Sequence, residues 1–198
     1  MNNNIDTYQQ MCAKVLEIDK EVHNCQLCAD LVEKFGTSKT IHYGNNNDIL
    51  ILGEAPANNG WRKSGIVWHD KDGKILPSGV VMQKLLDILG LNLMDITFLE
   101  AIKCYPKERK NLVICKNNCS KILNKQLEIL KPKIILTLGD MATKAILKIN
   151  YKKFSDVVGQ VYEIEYGIKV IPIYHPSPIS PLSYKGNVPI FNKIKEIC

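Results

Sequence analysis

The chain has 198 residues, 45% hydrophobic and 23% charged, enough apolar material for one substantial core and too much for an intrinsically disordered segment. No apolar run approaches the roughly 20 residues of a membrane-spanning helix, and the polar residues 1–10 lack a signal-peptide core, so a cytoplasmic protein is expected. The net charge of +6, carried by lysine with only Arg62 and Arg109 as arginines, suits a polyanionic partner, although a lysine-rich composition alone produces the same excess.

In chain order, Met11, Val15, Ile18 and Val22 recur at helical spacing, which predicts a helix over about 6–24 that ends at Cys25. Four short β-type runs follow at 49–52, 97–102, 134–138 and 170–174, each apolar on both faces as in parallel strands covered by helices. Helical patterns lie between them at 80–89, 119–130 and 141–149, the last behind Asp140 as a candidate N-cap. Residues 162–165 suggest a short edge strand, 45–47 and 70–73 loop tips, and 176–189 an irregular Pro/Ser-rich segment. The alternation predicts a single domain over 1–198: three layers, α/β/α, around a central, mainly parallel four-stranded sheet.

Ligands of such sheets bind beyond the carboxyl ends of the strands. Glu54, Glu100, Gly139 and His175 each fall at or just after the end of a predicted strand, so four runs deliver polar or glycine residues to one rim.

The chain has seven cysteines, an odd number that argues against a disulfide scaffold and for metal ligation or free thiols. Cys25 and Cys28 form a C-x-x-C pair, and Cys104 and Cys119 stand as distant singles. Such a quartet can close around an iron–sulfur cluster or, alternatively, zinc, while Cys104 and Cys119 also read as ordinary buried cysteines. Cys115, one helical turn before Cys119, competes as fourth ligand; Cys12 and Cys198 read as bystanders.

The cysteine pair, Gly53-Glu54-Ala55-Pro56 after the run 48–52, the segment opened by Cys119 and closed by Pro132, and Tyr174-His175-Pro176-Ser177-Pro178 follow one another in a fixed order. That order resembles the [4Fe–4S]-containing (family 4) uracil-DNA glycosylases and their superfamily relatives, from about Cys25 to about Ile194. The resemblance implies a monomeric DNA glycosylase that hydrolyses the N-glycosidic bond of a flipped, damaged base. It implies a structural [4Fe–4S] cluster on Cys25, Cys28, Cys104 and Cys119, away from the pocket, holding loops that approach DNA. Gly53 and Ala55 would line the base, Glu54 would orient or deprotonate the attacking water, and His175 would hydrogen-bond the base O2 as charge develops there. Ser177 would bind a phosphate. Arg62, Lys63 and Lys185 are phosphate candidates by charge and loop placement.

Two departures from the family pattern stand out. The text after Pro56, with Gly60-Trp61 and Ser64-Gly65, is closer to the single-strand-selective branch; Trp68 falls where a stacking aromatic is expected, though both tryptophans also read as core. Glu100 occupies the place of an asparagine that reads uracil O4 and N3–H in those enzymes. An ionised glutamate only accepts and opposes O4, and suits an exocyclic amino group better; a protonated one mimics the amide; a third possibility is that it points into the sheet layer and pairs with Lys103. A nucleic-acid-binding or nucleotide-sensing module without uracil excision is therefore the alternative reading.

Overall fold

Alternating side chains divide each central strand between two apolar layers, and this division builds the protein. The computed structural model describes residues 2–33 and 40–197, with side chains from residue 13 onward except Asn47. The side chains of Met11 and Cys12, and Cys198, lie outside the described residues. The strands are β1 (Val32–Glu33), β2 (Ile41–His42), β3 (Asn46–Gly53), β4 (Ile96–Glu100), β5 (Tyr105–Pro106), β6 (Ile134–Leu138), β7 (Tyr162–Glu163) and β8 (Lys169–Ile173). The helices are α1 (Asn2–Asn24), α2 (Trp61–Ser64), α3 (Pro77–Leu86), α4 (Leu112–Leu130), α5 (Gly139–Ile146) and α6 (Val188–Ile197).

The main sheet has six strands in the order β2-β4-β3-β6-β8-β7, not four. The expected strands form its parallel centre, β4-β3-β6-β8, and two-residue antiparallel strands border it, β2 on β4 and β7 on β8. β7 is the short edge strand expected at 162–165, whereas the two residues of β2 carry too short an alternation to register as a pattern. Ile49, Ile51, Phe98, Leu136 and Ile171 face one layer, with Leu85 of α3 and Phe191 of α6. Leu50, Leu52, Leu99 and Ile135 face the other, with Leu123 of α4 and Ala142 of α5. This is the expected α/β/α arrangement. Outside it, α1 packs Ile18 and Val22 on Ile122 of α4.

Several helices differ from expectation. α4 begins at Leu112, well ahead of Cys119, because Val113 and Ile114 point to solvent and break the apolar period. Asp140 is not an N-cap: Leu138 holds that position without a side-chain cap, and Asp140 instead accepts from Lys144 and Tyr151. α6 carries Ile190, Phe191 and Ile194 onto the core beyond the Pro/Ser-rich stretch, a helical spacing that the sequence analysis passes over. Among the described residues no helix is long and apolar enough to cross a membrane.

Candidate active site

The carboxyl ends of β3, β4, β6 and β8 open onto one pocket of about 410 Å³. Gly53, Glu54, Ala55, Trp68, Glu100, Gly139 and His175 all line it, so the polar residues expected at one rim do converge. A cleft of about 560 Å³ at the opposite end of the strands holds aliphatic side chains with Lys133, Lys169 and Lys195, and none of the expected site residues.

The β3 exit is pinned by backbone bonds: Ala101 N–H donates to the Gly53 carbonyl (2.9 Å) and Ile102 N–H to that of Glu54 (3.0 Å). A Cβ on Gly53 would stand 3.1 Å from the Phe98 ring and 3.4 Å from Glu100 Cγ, so glycine keeps the pocket floor open. Glu54 keeps partial exposure and faces the Arg109 guanidinium at 3.5 Å. Arg109, which no strand end or motif marks as a site residue, is 83% exposed beside the pocket.

His175 stands on the segment leaving β8. Its Nδ1 accepts the Ser177 backbone N–H (3.1 Å), which leaves the Nε2–H as its donor. The residue is exposed at the pocket rim, and desolvation by the surrounding protein lowers its pKa below the ordinary imidazole value. The neutral, Nε2–H form is therefore the one displayed near neutral pH.

The position of His175 is set by Asn187, a fully buried residue absent from the sequence candidates. Its Oδ1 accepts the Tyr174 N–H (2.9 Å) and its Nδ2 donates to the carbonyls of Tyr174 and Ser183 (both 2.8 Å). Asn187→Ala is expected to destabilise the protein by about 1–3 kcal/mol, the cost of leaving such groups buried and unsatisfied, measured by denaturant unfolding.

The aromatic wall differs in detail from expectation. Trp68 is buried with φ of 62°, a left-handed conformation that costs a non-glycine residue roughly 1–2 kcal/mol, and it packs on Phe98 at 5.1 Å. Trp61 meets the same Phe98 edge-on at 5.9 Å. Phe98 and Leu76 also line the pocket, so the surface offered to a base is a composite of these side chains.

Arg62 is the main correction among the DNA-binding candidates. It is buried, its Nη2 donating to the Lys103 carbonyl (2.8 Å) and its guanidinium lying 5.3 Å from the Trp61 ring. Its charge is buried near Glu100 and is not offered at the surface. Lys63 and Lys185 are exposed as expected; Lys63 bonds Asn58 (3.2 Å). The Ser177 N–H is engaged by His175, leaving its hydroxyl for other partners.

Cys25, Cys28, Cys104, Cys115 and Cys119 all line one cavity of about 20 Å³, together with Asn118. None of the five forms a disulfide. Cys104 lies beyond the end of β4 and Cys119 inside α4, not at a strand end and a helix start as expected. Asn118 Nδ2 donates to Cys28 Sγ (3.2 Å), and the Lys103 backbone N–H is directed toward the Cys119 thiol, where it favours the thiolate. Burial pushes the Cys115 thiol up to about 12. The cysteines pack with Ala55 and Ile102, so their cavity backs the β3–pocket loop. The β1–β5 ladder joins the segment after Cys28 to that after Cys104. Among the described residues no three His, Cys, Asp or Glu side chains are grouped so as to hold a metal ion.

Residues 41–195 match the Uracil DNA glycosylase superfamily. The chain is 30% identical to a type-4 uracil-DNA glycosylase of Archaeoglobus fulgidus, over 92% of each chain. It is 31% identical to a type-4 enzyme of Sulfurisphaera tokodaii, over 91% of this chain and 83% of the relative. Similarity extends to a type-5 uracil-DNA glycosylase of Pyrobaculum aerophilum, at 26% identity over 79% of this chain and 80% of that one.

Proposed function

The chain belongs to the uracil DNA glycosylase superfamily, and from that premise we propose that it is a DNA glycosylase which takes a flipped, deaminated base into the pocket and hydrolyses its N-glycosidic bond. The observation that carries this reading is the convergence of Glu54 and His175, from separate parallel strands, on one pocket walled by aromatic side chains.

The chemistry follows from charge. Breaking the bond leaves negative charge on the departing base, and the His175 Nε2–H is a fixed, neutral donor that can meet it at O2. Glu54 orients the water that attacks the sugar carbon, and its carboxylate favours the positive charge that grows there. Arg109 beside it is placed to take a backbone phosphate, with Lys63, Lys185 and the Ser177 hydroxyl as further backbone contacts. Ile179, 93% exposed a few residues beyond His175, is an apolar tip suited to filling the gap left by an extruded base. The protein acts as a monomer.

The five-cysteine cavity fits a [4Fe–4S] cluster in its donor set: thiols from three separate segments, with N–H groups directed at Cys28 and Cys119. Cys25, Cys28, Cys104 and Cys119 would hold the cluster, which supplies a crosslink behind the Gly53–Pro56 loop and no open coordination position for hydrolysis. Cys115, the most deeply buried, remains a thiol.

A base-release assay on oligonucleotides carrying uracil, hypoxanthine or xanthine tests the function. Release of at least one free base is expected; tight binding without release from any of them would reduce the protein to a binding module.

A further inference from the structure

Strand alternation puts Ile96, Phe98 and Glu100 on the same face of β4. Ile96 and Phe98 lie in the core with Trp61 and Trp68, so the next residue on that face, Glu100, emerges at the pocket floor, in register with Gly53. It lines the pocket while being 5% exposed. We infer that Glu100 reads the hydrogen-bonding edge of the flipped base and accepts uracil only when its carboxyl carries a proton. This rests on the glycosylase reading, which supplies the flipped base.

The donor–acceptor inventory sets the requirement. Uracil presents an acceptor, O4, beside a donor, N3–H. An ionised carboxylate has acceptors only and places one against O4. A protonated carboxyl donates its O–H to O4 and accepts N3–H with its carbonyl oxygen, the same pattern as an amide.

The surroundings decide which form the base meets. From β3 the carboxyl faces Gly53, and from its own strand the Phe98 ring, neither charged. From α2 it faces Arg62 and Trp61, whose indole N–H turns toward it but falls short of hydrogen-bond geometry and has no other partner. From the turn after β4 it faces Lys103, a buried lysine whose Nζ donates to the Glu100 backbone carbonyl. Glu54, Arg109 and His175, the remaining ionisable residues of the pocket lining, keep solvent access. Burial is the strongest influence and raises the Glu100 pKa to about 7 against the opposing pull of Arg62, Trp61 and Lys103. A proton is thus available near neutral pH, and a bound base that displaces water from the pocket strengthens the same tendency.

The test uses binding, so that it does not depend on cleavage. A single-stranded oligonucleotide with 2′-fluoro-2′-deoxyuridine, which resists hydrolysis, is titrated by fluorescence anisotropy from about pH 6 to pH 9, beside an abasic-analogue control. For the parent, the preference for the uracil strand over the control should fall about tenfold per pH unit above the Glu100 midpoint, the slope of one required proton. In Glu100→Gln the preference should stay flat, because the amide offers donor and acceptor at every pH. A parent profile without that fall, or the same slope in Glu100→Gln, overturns the inference; a flat parent would assign O4 to the Trp61 N–H. Should Glu100→Gln fail to fold, calorimetry of the parent in two buffers of different ionisation enthalpy decides the matter: uptake approaching one proton per uracil strand above the midpoint supports the inference, and none refutes it. Excision with pH-independent binding would remove the role of Glu100 and leave the glycosylase. Proton-linked uracil binding without excision would do the reverse.

Discussion

His175→Ala is expected to slow single-turnover base release by about 10²–10³-fold, the loss that follows removal of one preorganised donor to a developing anion. Three features of the site make the effect specific to the transition state. The Ser177 N–H occupies Nδ1 and fixes the tautomer. Asn187 clamps Tyr174 on both backbone groups and so holds the residue before the histidine. Desolvation lowers the imidazole pKa, so the neutral donor persists near neutral pH. Protonation at Nδ1 would oppose the Ser177 N–H, so acidification through this lowered pKa brings no gain in rate through His175. Affinity for abasic DNA should change little in the variant, since the departing base is absent from that complex. A variant that releases base as fast as the parent would make His175 structural and remove the proposed stabilisation of the leaving base.

The other large effect belongs to the cysteines. Anaerobically purified parent protein is expected to be brown, with broad visible charge-transfer absorbance and about four irons per chain. Cys119→Ser should lose both colour and iron, while Cys115→Ser should keep them, because Cys119 receives the Lys103 N–H and Cys115 is the thiol that burial most strongly keeps protonated. The reverse result would exchange the two residues, and colourless parent protein containing one zinc per chain would replace the cluster by a mononuclear site. Loss of the centre should also lower thermal stability, since the segment after α1, helix α4 and the segment after β4 meet at this cavity.

The parallel core was legible because four runs of β-branched and aliphatic residues, buried on both faces, leave a strong signal, and each ends in glycine or a polar residue at the same rim. Glu54 and His175 were legible for the same reason: they follow strand ends directly. The edge strand β7 falls within the residues 162–165 that suggest one, whereas β2, of two residues, has no period to detect. Arg62 reads as a surface cation in the polar stretch Trp61–Ser64, but one face of that single helical turn is buried, and the Lys103 carbonyl that receives its guanidinium is distant in sequence. Asn187 lies in a segment without periodicity and gains its role only when the chain returns to the end of β8. Local pattern thus located the rim, whereas the buried polar contacts that shape it depend on tertiary approach.

The most direct test is a single-turnover reaction of the anaerobically purified protein with a uracil oligonucleotide, in which free uracil and abasic sites are both counted. Free uracil and abasic sites are expected in equal numbers and at equal rates in the parent, at pH values below the Glu100 midpoint, and both should slow together in His175→Ala. Stable binding of the strand with neither free uracil nor abasic sites, under those conditions, would contradict the proposed excision.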